Sequence, residues 1–211
     1  MQFKNFLNEK TYTDDEIYDI LHRDCSQFIK KGKRLYRGHK SNQTFFEKTT
    51  RKNRKAVDTP QVLNDLIDLG FKKKFGWKPR SEGVYTTPYK DIASMYGIPY
   101  LFFPVDGYKY LWSPDVYDIL IVIKKQFHEY ILKNYDVVVR GSSIIDNIDN
   151  ITKDQYDEFM KGFEKNYLNS YMNNKIQMNK KNEVMVKCDK YYMLNYRYYK
   201  TWGITDLENY F

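Results

Sequence analysis

Arg37, the hydroxyl pair Thr86 and Thr87, and Glu183 are the residues of this 211-residue chain whose types and settings suit chemistry. Arg37 stands in Lys33-Arg34-Leu35-Tyr36-Arg37-Gly38-His39, where Leu35 and Tyr36 suit a short strand. An arginine inside a strand needs a partner if it is buried, and the adjacent Gly38 lets a ligand or a second backbone approach closely. Thr86 and Thr87 close the alternating, β-prone segment 83–87. Pro88, which lacks an amide hydrogen, ends that ladder. Helical spacing then begins with Ile92, Ala93, Met95 and Tyr96, and Gly97 suits a helix C-terminus. Two hydroxyls at a strand-to-helix junction occupy a common place for groups that face a ligand. Glu183 opens a strand pattern over 183–188, directly after a polar, basic, turn-rich loop over 173–182. Each feature also has a plainer reading: an edge-strand arginine in solvent, two β-formers, an exposed glutamate at a strand start.

The elements that must position these residues follow from periodicity and caps. Thr13-Asp14-Asp15-Glu16 has the form of a capping box. It opens a helix with Ile17, Ile20, Leu21 and Phe28 on one face, running to about Lys31 and ended by Gly32. Asp58 or Thr59, with Pro60 in the first turn, starts a second helix. Its stripe is Val62, Leu63, Leu66, Ile67 and Leu69, and Gly70 weakens or ends it. Residues 75–80 form a loop. Tyr100 to Phe103 and Tyr108 to Trp112 flank Asp106-Gly107 and predict a hairpin. Ser113-Pro114-Asp115 predicts another helix start, with 116–127 helical or mixed and a strand at 137–139. Residues 152–166 read as a polar helix, and 191–199 as an aromatic strand. No repeat or long linker divides the chain. A single domain over 1–211 is expected, with 1–32 as a helical cover.

Composition narrows the function classes. Hydrophobic residues make up 42% of the chain, enough for a core. The net charge of +8 favours an anionic partner: a dinucleotide, a nucleic acid or an acidic protein. Cys25 and Cys188 lie far apart and the three histidines are isolated, so no metal site is expected. Two unpaired cysteines fit a reducing cytosol. The N-terminus lacks a secretory apolar core, and the longest apolar run, 119–123, is too short to span a bilayer. A cytoplasmic protein with no membrane partner is expected.

The order Arg37, Thr86, Glu183 resembles the arginine–serine–glutamate pattern of mono-ADP-ribosyltransferases of the R-S-E class, with the nearest likeness to compact phage-encoded forms. Tyr36-Arg37-Gly38 resembles their first motif, Val84-Tyr85-Thr86-Thr87-Pro88 their Ser-Thr-Ser motif, and Asn182-Glu183-Val184-Met185-Val186 their glutamate motif. The likeness spans roughly residues 35–186. It implies an α+β fold with a split two-sheet ADP-ribosyltransferase-like core, helices at the N-terminus and between strands, and NAD as substrate. It implies a macromolecular acceptor, protein favoured over nucleic acid, in a host cytoplasm. Cleaving the nicotinamide–ribose bond develops positive charge on the ribose, as in glycoside hydrolysis. The resemblance gives Glu183 the stabilisation of that charge, Arg37 the binding of phosphate or ribose oxygens, and Thr86 the task of holding the carboxylate. Arg54 and Arg80 are pyrophosphate candidates, Gly38 and Thr87 adjoin the cofactor, and Tyr89 and Tyr96 are candidates to stack on nicotinamide. Thr86 and Pro88 stand where the pattern has serines. Lys181 stands two residues before Glu183, where arginine-modifying members often carry Gln or Glu. Water as acceptor would make the protein an NAD glycohydrolase. A basic nucleic-acid- or protein-binding module without turnover is the non-enzyme alternative.

Overall fold

A computed structural model describes residues 11–55, 61–134, 152–174, 176–177 and 179–201. They form a mixed α+β structure with two antiparallel sheets. The strands are β1 (Tyr36–His39), β2 (Phe45–Thr49), β3 (Val84–Thr86), β4 (Ile98–Pro104), β5 (Lys109–Trp112), β6 (Val184–Lys187) and β7 (Lys190–Asn195). One sheet has the order β1-β4-β7-β2 and the other β3-β6-β5. The two join at one point, where Tyr36 and Thr87 exchange backbone hydrogen bonds of 2.7 and 3.0 Å. Beyond that bridge β1 runs on into the first sheet and β3 into the second, so the sheets splay apart at Arg37 and Thr86.

Each sheet has its own apolar layer. The four-stranded sheet is covered by α1 (Asp14–Asp24) and α2 (Ser26–Ile29), which bury Ile17, Leu21, Cys25, Phe28 and Ile29 with Leu101, Phe103 and Leu194 of the facing sheet surface. The Thr13–Glu16 capping box forms, with Thr13 Oγ1 accepting from the Glu16 amide and Glu16 Oε2 from the Thr13 amide. The expected single N-terminal helix is broken at Cys25, whose φ of −125° leaves the helical region. The three-stranded sheet is covered by α3 (Gln61–Phe75), α6 (Ile119–Asn134) and α7 (Lys153–Asn166). Their Leu63, Ile67, Phe71, Ile123, Phe159 and Phe163 pack with Leu111 and Met185.

Several expectations need correction. Strands β4 and β5 do not form a hairpin: β4 pairs with β1 and β7, whereas β5 pairs with β6. Asp106-Gly107 is a turn, with Gly107 at φ +86°, but Asp106 turns its carboxylate to Ser26 Oγ and the Gln27 amide. The turn thereby carries the chain from one sheet to the other under α2. Gly70 does not end α3, which continues to Phe75; Val62 and Leu69 are exposed, and Phe71 takes their place in the core. The loop expected over 75–80 contains a helical turn, α4 (Pro79–Glu82). Ser113 caps a turn rather than a helix, accepting from the Asp115 and Val116 amides. Helix α6 starts at Ile119, capped by Asp118 Oδ1, which accepts from the Leu120 amide at 2.7 Å. The aromatic strand stops at Asn195, and α8 (Tyr196–Thr201) follows. The expected cap at 58–60 and the expected strand at 137–139 lie outside the described residues. Among the described residues no helix is long and apolar enough to cross a membrane.

Candidate functional site

A cavity of about 310 Å³ opens where the sheets part, at the lower end of the ~300–1,000 Å³ typical of ligand sites. Arg37 from β1, Thr86 from β3 and Glu183 from the residue before β6 all line it. These positions are nearly 150 residues apart at their extremes, so it is the strand pairing that assembles them.

Arg37 is on an edge strand but does not project into solvent. Its Nη1 donates to the Tyr85 carbonyl of β3 at 2.6 Å, spanning the split between the sheets. Burial lowers its pKa, with Arg54 acting in the same direction and Tyr191 and Glu183 against it. Gly38 is required by packing. A Cβ there would stand 2.2 Å from the Ala93 carbonyl oxygen of α5 (Lys90–Ser94) and 2.9 Å from Tyr96 Cβ. The close approach at Gly38 is therefore that of a second backbone.

Thr86 is buried, and its hydroxyl donates to the Val184 carbonyl at 2.9 Å. The expected grip on the Glu183 carboxylate is replaced by a grip on the backbone one residue further along. Thr87 lines the cavity beside it and accepts from the Tyr89 amide at 3.2 Å. Tyr89 is not part of the lining; its hydroxyl donates to the Asn179 carbonyl at 3.0 Å and ties down the 173–182 loop. Tyr96 does line the cavity and is 67% exposed, an open ring at its mouth.

Glu183 is clamped on both sides. Its amide donates to the Tyr117 carbonyl at 3.0 Å, and Asn182 Nδ2 donates to the Ser113 carbonyl at 2.6 Å. Its Oε2 is sealed from solvent and has no hydrogen-bond partner. Burial, then repulsion from Asp118, push the carboxyl up to about 8; Arg80, the Ile119 amide and Arg54 pull the other way. A buried carboxyl with a raised pKa, near a second carboxylate and in a cleft, is a mark of functional sites.

Three further arginine-side features complete the cavity. Arg54 lies 5.0 Å over the Tyr85 ring, and its amide donates to the Ser81 carbonyl. Arg80 is buried, and its Nε donates to Asn64 Oδ1 at 2.6 Å. The turn that carries Arg80 is held by the fully buried Asp68, whose oxygens accept from the Arg80 amide, the Ser81 amide and Ser81 Oγ. Sequence reasoning missed Asn64, Asp68 and Asp118. The signal for the first pair was present: two polar residues four apart on α3 beside the buried Leu63 and Ile67, a spacing that puts them on one face.

The cavity thus brings guanidinium groups together with the carboxyls of Glu183 and Asp118. It can hold an anionic ligand while presenting a carboxyl to a centre that becomes positive. Among the described residues no group of three or more His, Cys, Asp or Glu could hold a metal ion. No family model, curated protein sequence or solved structure matches the chain.

Proposed function

We propose that the protein is an NAD-dependent mono-ADP-ribosyltransferase on a split-sheet core, transferring ADP-ribose to a host macromolecule. The observation that carries this reading is the convergence of Arg37, Thr86 and Glu183 on one cavity at the split between the sheets. In this reading Arg37, with Arg54, binds the pyrophosphate, Arg80 lines the cavity near Glu183, and Glu183 faces the nicotinamide-bearing ribose. The bond between ribose C1′ and the nicotinamide nitrogen breaks, and its electron pair leaves with nicotinamide. The acceptor's nucleophile bonds to C1′ and gives up its proton to solvent water. Glu183 stabilises the positive charge that the ribose carries between those events.

The raised pKa of Glu183 fits a carboxyl waiting for a cation. The nicotinamide ring of NAD is positively charged, and a cation next to a carboxyl favours its ionised form. NAD binding near neutral pH therefore releases a proton, measurable as a dependence of the calorimetric enthalpy on the buffer used.

Lys181 lines the mouth of the cavity. Its charge repels an arginine acceptor and favours an anionic or acidic acceptor, or water. That observation supports NAD glycohydrolysis as the second reading. Incubation with NAD labelled in the ADP-ribose moiety separates the two. Label recovered on macromolecule supports transfer, free ADP-ribose supports hydrolysis, and intact NAD contradicts both.

A further inference from the structure

Asn64 is 1% exposed and lines the cavity, yet its Nδ2 has no hydrogen-bond partner. The orientation of the amide is fixed by chemistry. Arg80 Nε is a donor only, so the atom facing it at 2.6 Å must be the amide oxygen. The NH₂ group is turned the other way. Leaving a buried donor unpaired is costly, and the residue sits on α3 among Leu63, Ile67 and Asp68, which already have their own partners in the core or in α4. The hydrogen bond from Arg80 also polarises the amide and strengthens its free N–H as a donor. Asn64 therefore presents a built, neutral donor in want of an oxygen acceptor.

Its position narrows the acceptor. Arg80, to which Asn64 is fastened, lines the cavity together with Glu183, and the turn that carries it packs on β6, the strand that follows Glu183. Asn64 accordingly belongs to the Glu183 end of the cavity. Resting on the NAD reading above, that end holds the scissile bond, with the ribose hydroxyls and the nicotinamide carboxamide as the nearest ligand groups. The hydroxyls can be met by Glu183, and the pyrophosphate by charged arginines. The carboxamide oxygen is a strong, uncharged acceptor suited to a neutral amide donor. We infer that Asn64 Nδ2 donates to the carboxamide oxygen of nicotinamide and makes this cavity selective for a carboxamide-bearing ring.

Ligand-observed NMR titrations with nicotinamide, with pyridine (the same ring without the carboxamide) and with ADP-ribose test this on wild type, Asn64→Asp and Asn64→Leu. Asn64→Asp keeps an oxygen for Arg80 Nε and so protects the fold, while removing the donor; circular dichroism verifies folding of both variants. Wild type should bind nicotinamide more tightly than pyridine. Both variants should weaken nicotinamide roughly tenfold and leave pyridine within about twofold, as expected from the loss of one buried hydrogen bond. In Asn64→Leu, ADP-ribose affinity should stay near that of wild type. A folded variant that retains the preference for nicotinamide over pyridine overturns the assignment. Weakened ADP-ribose with unchanged nicotinamide in Asn64→Leu also overturns it, by moving the donor to the phosphates, and leaves the NAD reading standing. Wild type that binds neither nicotinamide nor ADP-ribose overturns both.

Discussion

Arg37 and Glu183 face the same cavity from opposite sheets, and their surroundings differ in kind. Arg37 gives a hydrogen bond to a neutral backbone carbonyl, and Arg80 gives one to a neutral amide. Both contacts fix a guanidinium in place, and the carbonyl that Arg37 meets leaves its charge uncompensated, which suits Arg37 to an anion. Glu183 has its backbone clamped, but its Oε2 meets nothing and its carboxyl is held far above the usual carboxylate range. One wall is ready for its ligand at rest; the other becomes satisfied only when positive charge arrives. The fold bears the cost of the second wall, as expected where binding energy is reserved for a transition state.

Replacing Glu183 by Gln is the strongest way to break this contrast. It keeps shape and removes the charge, and turnover of NAD should fall at least ~10²-fold, the scale of one preorganised electrostatic group. The NAD dissociation constant should rise only a few fold, because the cationic ring of bound NAD draws on part of that charge and the transition state on the rest. Arg37→Ala should do the opposite. It should raise the NAD dissociation constant on the order of 10- to 100-fold, from the loss of a charge-assisted contact, as calorimetry can measure. If the two variants lose affinity and turnover in the same proportion, the walls are not distinct in role.

The hydroxyls sharpen the boundary between structure and site. Thr86→Val removes the donor to the buried Val184 carbonyl and should destabilise the fold by ~1–3 kcal/mol in urea unfolding. Its effect on activity should exceed that of Thr87→Val, whose hydroxyl accepts only from a local amide among the described contacts. The smallest expected effect is on pH-dependent stability. Glu183 binds its proton more tightly folded than unfolded, so its contribution is fully present below the ordinary value of 4.5 and is lost as pH rises to about 8. Stability of wild type should therefore decline across that interval more than that of Glu183→Gln. Parallel curves for the two proteins would show that the Glu183 carboxyl titrates as an ordinary exposed one.

How much of this was legible in the sequence depended on range. The capping box at Thr13 is local, and it forms; the polar helix read over 152–166 is likewise local and forms as α7. The strand-to-helix junction after Thr86 is local too, set by Pro88 and the helical spacing beyond it. The failures are long-range. Asp106-Gly107 carries a hairpin signal, but β4 takes β1 and β7 as partners, which sets Phe103 against Phe28 of the N-terminal helices, and β5 pairs with β6 in the other sheet. Residues 196–199 are as aromatic as 191–195, yet their backbone turns helical once β7 has run out of strand partners beyond Asn195. In the site, Arg37, Gly38, Arg54, Arg80, Thr86, Thr87, Tyr96 and Glu183 line the cavity, whereas Tyr89 holds a loop outside it. Asn64 and Asp118 escaped notice because each looks ordinary in its own segment, one a polar residue in an amphipathic helix and the other an acid near a helix start. Only the packing of α3 and α6 on the three-stranded sheet brings them into one cavity with Glu183.

The most direct test of the account is NAD cleavage in a cell extract that supplies acceptors. Nicotinamide release is followed by chromatography with wild type and with Glu183→Gln in parallel, so that cleavage by the extract itself is subtracted. Nicotinamide should form in step with NAD loss with wild type, and at no more than about one hundredth of that rate with the variant. Equal rates for the two folded proteins, or no cleavage by wild type above the extract, would contradict it.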